Sequence, residues 1–256
     1  MRDVRSERGR WLRPGDPSEG CHLTLVGGFS LRHGGSRIEL APGVQRLVAF
    51  LALRQRQPRG YVAGILWPEQ SQENALASLR TAVWRARSHV PELLTSTRHD
   101  VDLHPDVTVD VHQLAEVARY PLDQSRLQSL ADQRGVLDIL ASHGELLPGW
   151  YDDWVLVERE RVRLQHVRAL ETLADQLLRG DQPSDAVRAA LAATTLEPFR
   201  DSAHAVVMRA YLSEGNTSEA IRHFQHYRSQ LHRELGVGPS IAVQRLIRPH
   251  LARFAG

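Results

Sequence analysis

Apolar residues recur every three or four positions through residues 71–90, and this spacing predicts an α-helix with one buried face. The opposite face carries arginines, hydroxyl side chains and a tryptophan, and its only acidic residue is Glu73 in the first turn. An ordinary surface helix presents charges of both signs to water, whereas this face suits a DNA groove lined with phosphates and base edges. The helix alone does not decide between these two interpretations. The predicted buried positions are Leu76, Leu79, Val83, Ala86 and Val90.

The residues before this helix alternate in short runs that predict a small antiparallel sheet. The runs cover residues 23–26, 29–32 and 37–40, and the glycine pairs between them can adopt the positive φ angles of tight turns. Two helices follow, one opened by Pro42 and the other ended by Pro68.

After the helix of residues 71–90, residues 93–109 alternate again and predict a β-hairpin or a pair of short strands. The order strands, helix, helix, helix, hairpin is that of a winged helix-turn-helix with an additional N-terminal sheet. In this architecture the third helix enters the major groove, and the hairpin wing contacts the backbone or the minor groove. The order of the elements therefore favours DNA binding more than any single motif does.

Almost all of the chain after residue 110 has helical periodicity. Predicted helices cover residues 111–119, parts of 123–142, and 156–179. A period of thirty-four then appears, because Asp185-Ala-Val-Arg188 recurs as Glu219-Ala-Ile-Arg222. Alanines and a proline fall at the small and proline positions of a tetratricopeptide repeat, although Tyr227 replaces the second alanine in the second unit. Helical repeats of this kind form concave surfaces for partners.

Composition fits two ordinary domains, since the 256 residues are 42% hydrophobic. All 32 basic residues are arginine, and the net charge is only +2. Residues 21–109 are mildly basic and residues 110–256 mildly acidic, which fits a DNA-contacting domain joined to one with another task. Residues 1–20 lack periodicity and read as a flexible tail. No apolar segment could span a membrane or act as a secretory signal, so we expect a cytoplasmic protein.

No enzyme motif is present in the sequence. Phosphate-binding loops, nucleophile elbows and zinc-protease signatures are absent, so we expect neither catalysis nor a cofactor. His223 and His226 have a helical spacing that could bind a metal ion, but no cysteine or paired carboxylate lies near them, and we expect no metal. Cys21, the sole cysteine, is most simply a small buried apolar residue.

The chain resembles a known family in both halves. Residues 22–109 resemble the OmpR-type winged helix-turn-helix domain, and more closely its version in Streptomyces antibiotic regulatory proteins (SARPs). The resemblance rests on Gly60-Tyr-Val-Ala-Gly-Ile-Leu-Trp-Pro68 and Ala77-Ser-Leu-Arg-Thr-Ala-Val-Trp-Arg-Ala-Arg87. The second half resembles the bacterial transcriptional activator domain, through the long helix after the Trp150 region and the segment of residues 234–240. Ala86 departs from the family pattern, which usually places leucine there.

The prediction is therefore a mainly α protein with a small β part. Its domains are a tail (1–20), a winged helix-turn-helix (21–109) and a tetratricopeptide-like activator domain (110–256). The predicted DNA-contacting residues are Arg80, Thr81, Trp84, Arg85, Arg87 and Ser88 on the third helix, Arg98 and His99 in the wing, and Arg46 and Arg59 as secondary phosphate ligands.

The resemblance implies further properties. It implies an activator that binds promoter double-stranded DNA at direct repeats, with copies side by side, in the cytoplasm at the nucleoid. It also implies contact with RNA polymerase (sigma factor and core subunits) through the helical domain and a loop. The loop residues are Pro68, Glu69, Gln70, Ser71 and Gln72.

Two other functions remain open from the sequence. The chain could be a helical-repeat adaptor whose winged helix has lost DNA binding, and alanine substitution at Arg80 and Arg85 tests this against DNA affinity. It could also be a small-molecule sensor with a pocket among the repeats. A metabolite that binds the native state would raise the melting temperature, so a thermal-shift screen tests that alternative.

Overall fold

The computed structural model describes residues 20–119, 137–138, 140–141 and 144–251. The described residues form two compact units. The first contains the residues up to Gln113 together with Gly144–Val162, and the second contains the remainder from Leu114. The predicted tail and most of the helices predicted in residues 123–142 lie outside the described residues. Within the described part of the chain, no helix is both long enough and apolar enough to cross a membrane.

A four-stranded sheet begins the first unit. Its strands β1 (Cys21–Thr24), β2 (Ser30–His33) and β3 (Ser36–Ile38) are antiparallel, as predicted. The turn between β2 and β3 uses Gly34 and Gly35, whose φ angles of 54° and 77° favour glycine. A fourth strand, β7 (Val107–Val109), pairs with β1 in parallel, so the order is β3-β2-β1-β7. The sequence pattern wrongly assigns this strand to the hairpin, because alternation does not reveal which strand is the pairing partner.

Three helices follow the strands β1 to β3, as predicted. They are α1 (Pro42–Arg54), α2 (Arg59–Leu66) and α3 (Gln72–His89). Helix α1 is the centre of the unit, because Leu47, Val48 and Leu51 are fully buried and α2 and α3 both pack against it. Helix α3 begins after Ser71, whose Oγ accepts a hydrogen bond of 3.4 Å from the N–H of Asn74.

The wing is the hairpin formed by β5 (Leu94–Ser96), β6 (Asp100–Leu103) and the turn of residues 97–99 between them. Strand β4 (Gln57–Pro58), immediately before α2, pairs with β6 and gives a second sheet of order β4-β6-β5. The wing is thus hydrogen-bonded to the chain that leads into α2.

Gly144–Val162 packs on the first unit, although the sequence places its boundary at residue 109. The N–H of Leu147 donates to the carbonyl oxygen of Leu25 at 2.9 Å. Trp154 is buried and packs edge-on with Phe50, 5.2 Å between ring centroids. Glu158, also buried, forms an ion pair with Arg54 at 2.7 Å. The first unit therefore combines two stretches that are far apart in the sequence.

The described residues of the second unit form helices, which follow one another as the predicted repeat requires. Helix α4 (Asp110–Arg119) begins in the first unit, α5 (Asp153–Arg179) contributes to both units, and α6 (Pro183–Leu196), α7 (Asp201–Ser213), α8 (Thr217–Leu235) and α9 (Ile241–Leu251) follow. Ala186 and Ala193 are fully buried in α6, where small side chains let neighbouring helices approach. Gly236, with a φ of 70°, ends α8.

Candidate nucleic-acid interface

Helix α3 divides into a buried and an exposed face, close to the sequence prediction. Leu79, Val83, Ala86 and Val90 are buried as predicted, and Leu76 is half-buried. Ala75 and Ala82, which the sequence did not assign to the core, are buried as well. The exposed face contains every residue predicted for it: Arg80, Thr81, Trp84, Arg85, Arg87 and Ser88.

Trp84 is the most unusual member of this face. Its side chain is 69% exposed, whereas Trp154 in the same unit is buried. An exposed indole keeps a large apolar surface in contact with water, and such surfaces commonly belong to binding sites. The indole also carries an N–H that can donate to an acceptor on a partner.

The two predicted hydroxyl side chains donate to the helix itself. Thr81 Oγ1 donates to the carbonyl oxygen of Ala77 at 3.1 Å, and Ser88 Oγ donates to that of Trp84 at 2.9 Å. Each hydroxyl therefore turns its lone pairs outward, and it can accept a hydrogen bond from a partner without giving up the bond to the helix.

The arginines of the first unit fall into two groups. Among the described residues, the side chains of the four on α3 and the wing (Arg80, Arg85, Arg87 and Arg98) make no hydrogen bond or ion pair and are exposed; we call them the unpaired arginines. Every other arginine in the described part of the unit has at least one polar partner. These paired arginines are Arg32, Arg37, Arg46, Arg54, Arg56, Arg59, Arg159 and Arg161.

The wing presents Arg98 and His99 at its tip, where the sequence predicts them, and both side chains are exposed. The turn is closed by the N–H of Thr97, which donates to the carbonyl oxygen of Asp100 at 2.9 Å. Thr97 Oγ1 in turn accepts hydrogen bonds from the N–H groups of His99 and Asp100, at 3.2 and 3.0 Å. These hydrogen bonds order the backbone of the turn that carries Arg98, whose side chain is unpaired.

The two secondary phosphate candidates are half-buried and occupied by partners within the protein. Arg46 forms an ion pair with Asp152. Arg59 donates from Nη1 to Ser96 Oγ at 2.7 Å. These partners lie far from the arginines in the sequence, so local pattern reasoning gave no signal for them.

The loop assigned to RNA polymerase by resemblance lies between α2 and α3. All five of its residues, from Pro68 to Gln72, are exposed. Gln70 is tied to α3 because its Oε1 accepts a hydrogen bond of 2.9 Å from Ser78 Oγ. The loop is therefore accessible and anchored to α3.

An open cavity of about 350 Å³ adjoins the exposed face of α3. It is a further feature that the sequence did not predict, because it depends on how the three helices pack. Its lining combines the start of α1, the end of α2 and one side of α3: Ala41, Gly43, Val44, Trp67, Ala77, Ser78, Thr81, Ala82 and Arg85.

The first unit thus defines a winged helix-turn-helix protein with a cationic face on its third helix and wing. Residues 139–249 match the family model described as the bacterial transcriptional activator domain. The chain is 29% identical to the regulatory protein AfsR of Streptomyces griseus over 238 residues, covering 86% of this chain and 23% of AfsR. This chain therefore spans about a quarter of the length of that relative.

A solved structure supports the fold. Mycobacterium tuberculosis EmbR, in complex with a low-affinity phosphopeptide, matches with a TM-score of 0.66 and 18% identity, over 92% of this chain and 66% of that one. The family model and the AfsR match support the predicted resemblance to SARP-type transcriptional regulators, and the structural match supports the predicted fold, mainly α with a small β part.

Proposed function

We propose that this chain binds promoter DNA, with the exposed face of α3 in the major groove and the wing along the backbone. The distribution of arginines carries the proposal. In the described part of the first unit, the arginines without an internal partner are those that this docking brings to DNA. If these arginines served only solubility, we would expect them across the surface of the unit and not on one helix and one turn.

The chemistry of the face fits both kinds of DNA contact. Each guanidinium can bind a phosphate, or bind guanine O6 and N7 in a bidentate manner. The outward lone pairs of Thr81 and Ser88 can accept from the exocyclic amines of adenine or cytosine. The exposed indole of Trp84 can pack on the sugar-phosphate backbone.

We further propose an activator that binds direct repeats as adjacent copies and contacts RNA polymerase. The support is the similarity to AfsR and to the bacterial transcriptional activator domain, together with an exposed loop at Pro68, Glu69, Gln70, Ser71 and Gln72. A footprint of the full chain on the DNA next to its own gene tests the first part, because adjacent copies should protect direct repeats. Transcription in vitro with a Glu69→Ala, Gln72→Ala variant tests the second, since such a variant should bind DNA normally but activate less.

The direct test of DNA binding compares two charge-matched sets of variants. Arg80→Ala and Arg85→Ala each remove an unpaired arginine, whereas Arg37→Ala removes an exposed arginine that pairs with Glu39. We expect each α3 variant to bind the footprinted duplex about tenfold more weakly, which is within the roughly 1–3 kcal/mol of a good base or phosphate contact. The slope of log K against log salt should also fall by about one for each phosphate that is no longer neutralised. Unchanged affinity in both α3 variants would favour the adaptor function instead.

A further inference from the structure

Arg59 is joined to the wing by two hydrogen bonds. Its backbone N–H donates to the carbonyl oxygen of His99 at 2.8 Å, and its Nη1 donates to Ser96 Oγ at 2.7 Å. The preceding residues of β4 pair with β6, since Gln57 lies opposite Val101 and Pro58 opposite Asp100. The first residue of α2 is therefore bonded to both ends of the wing turn.

These bonds also occupy the groups that a phosphate would use. The N–H at the start of a helix is normally a free donor for an anion. In α2 the first N–H is already bonded to His99. The guanidinium is half-buried and bonded to Ser96, whereas Arg98, two residues further along the wing, is exposed and has no partner among the described residues.

We propose that Arg59 is a positioning residue that holds the wing so that Arg98 reaches the DNA backbone, and that Arg59 does not itself bind DNA. This inference rests on the proposed DNA-binding function. The Thr97 hydroxyl fixes the turn internally, and Arg59 fixes the turn against α2, the helix that precedes α3. The wing and the helix-turn-helix then meet the duplex as one preorganised surface, which reduces the ordering cost of binding.

The test uses Ser96, because its substitution removes the side-chain hydrogen bond from Arg59 without changing any charge. We expect Ser96→Ala in the full chain to bind the footprinted duplex about fivefold more weakly, an effect smaller than that of removing a whole phosphate ligand. We also expect its salt slope to fall by about one, as if one phosphate ligand had been removed. Ser96→Thr keeps a hydroxyl at this position and should bind as wild type does. Thermal unfolding of each variant identifies any decrease in folded protein.

The second part combines Ser96→Ala with Arg98→Ala. If the link acts through Arg98, Ser96→Ala should weaken binding no further once Arg98 has been removed, because coupled residues are not additive. A full additional decrease in affinity in that background would overturn the proposal. The proposal would also be overturned if Ser96→Ala bound normally while Arg59→Gln bound more weakly, with a salt slope lower by about one. Arg59 would then contact phosphate directly. Absence of salt-dependent binding by the wild type is a different failure, since it overturns the proposed function itself and this inference with it.

Discussion

The phenol of Tyr227 donates a hydrogen bond of 2.6 Å to Asp201 Oδ1, which links α8 to the first residue of α7. The same hydroxyl lies 3.1 Å from the carbonyl oxygen of Phe199. Oδ2 of Asp201 accepts from the N–H of Ser240 at 2.9 Å, just before α9. The tyrosine that departs from the repeat pattern therefore connects three consecutive helices of the second unit.

We predict that Tyr227→Phe destabilises the second unit by about 1–3 kcal/mol, because it removes a hydrogen bond to a charged carboxylate. Tyr227 is fully buried, so water cannot easily replace the hydroxyl. Urea unfolding followed by circular dichroism measures the effect. Tyr151→Phe is the matched control, since Tyr151 is 79% exposed and its substitution should change little. Equal stability of the two variants would contradict the structural role of the Tyr227 hydroxyl.

A pair of histidines, His204 buried and His223 half-buried, lies beside this tyrosine. The ring of His204 stacks on that of Tyr227, with 3.6 Å between centroids. His204 Nε2 lies 2.9 Å from the carbonyl oxygen of Pro198, which can only accept, so this nitrogen carries the proton. Nδ1 of the neutral ring then accepts from His223 Nε2, 2.9 Å away. His223, which the sequence raises as a possible metal ligand, is thus a donor to another histidine.

The histidine pair should make stability depend on pH. Burial, with the nearby His204 and His226, lowers the pKa of His223 to about 4, and burial also lowers the pKa of His204. In the unfolded chain these rings have a pKa of about 6.5, so the unfolded state binds more protons between about pH 6.5 and 4. The contribution of the pair to the free energy of unfolding should therefore be fully present above about pH 6.5 and should decrease as the pH drops towards 4.

Urea unfolding at a series of pH values from about 7.5 to 4.5 measures this decline. We expect His223→Gln to flatten it, because the side chain that takes up a proton on unfolding is gone. His232→Gln removes an exposed histidine of the same helix and should leave the decline as in the wild type. A wild-type stability that does not change over this range would contradict the neutral state of the two histidines.

The local sequence pattern was sufficient to predict the helices of the first unit and the exposed face of α3. The period of about 3.6 residues and the prolines at helix ends depend only on neighbours in the chain, so α1, α2 and α3 lie within a few residues of their predicted bounds. The polar partners could not be predicted in this way. The carboxylate of Asp152 reaches Arg46 across a large separation in sequence, and a hydroxyl on β5 reaches Arg59. Such contacts depend on tertiary packing, which periodicity does not encode.

The minimal winged-helix unit should extend beyond residue 113. We predict that a fragment of residues 20–162 unfolds cooperatively, whereas a fragment of residues 20–113 is much less stable. The shorter fragment lacks Trp154 on Phe50, and removal of one large aromatic from a core costs about 3–5 kcal/mol. It also lacks Glu158, the buried partner of Arg54. Thermal unfolding of the two fragments compares them, and equal melting temperatures would show that Gly144–Val162 is dispensable.

Trp84 should matter for binding and not for folding. Its indole is largely exposed, so Trp84→Ala should change the free energy of unfolding by less than about 0.5 kcal/mol. Affinity for the footprinted duplex should fall about tenfold, because aromatic side chains are enriched among the residues that dominate interfaces. Fluorescence anisotropy with labelled duplex measures the decrease. A variant with lower stability and unchanged affinity would place the indole in the fold and not at the DNA.

Ala86 sets the distance between α3 and its scaffold. It is fully buried between Val83 and Val90, at the position where the SARP pattern usually has leucine, and α3 packs against α1 and β5. Because Ala86 is fully buried, the larger side chain of Ala86→Leu should overpack the core and cost about 1–3 kcal/mol. Urea unfolding measures this, with Ala77→Leu as the control, since Ala77 lines the open cavity and has room for a larger side chain. The helix would also have to move outward to relieve the overpacking, so Arg85 and Ser88 should meet DNA differently and the footprinted duplex should bind more weakly. An Ala86→Leu variant as stable as the wild type would mean that α3 can shift on its scaffold without cost.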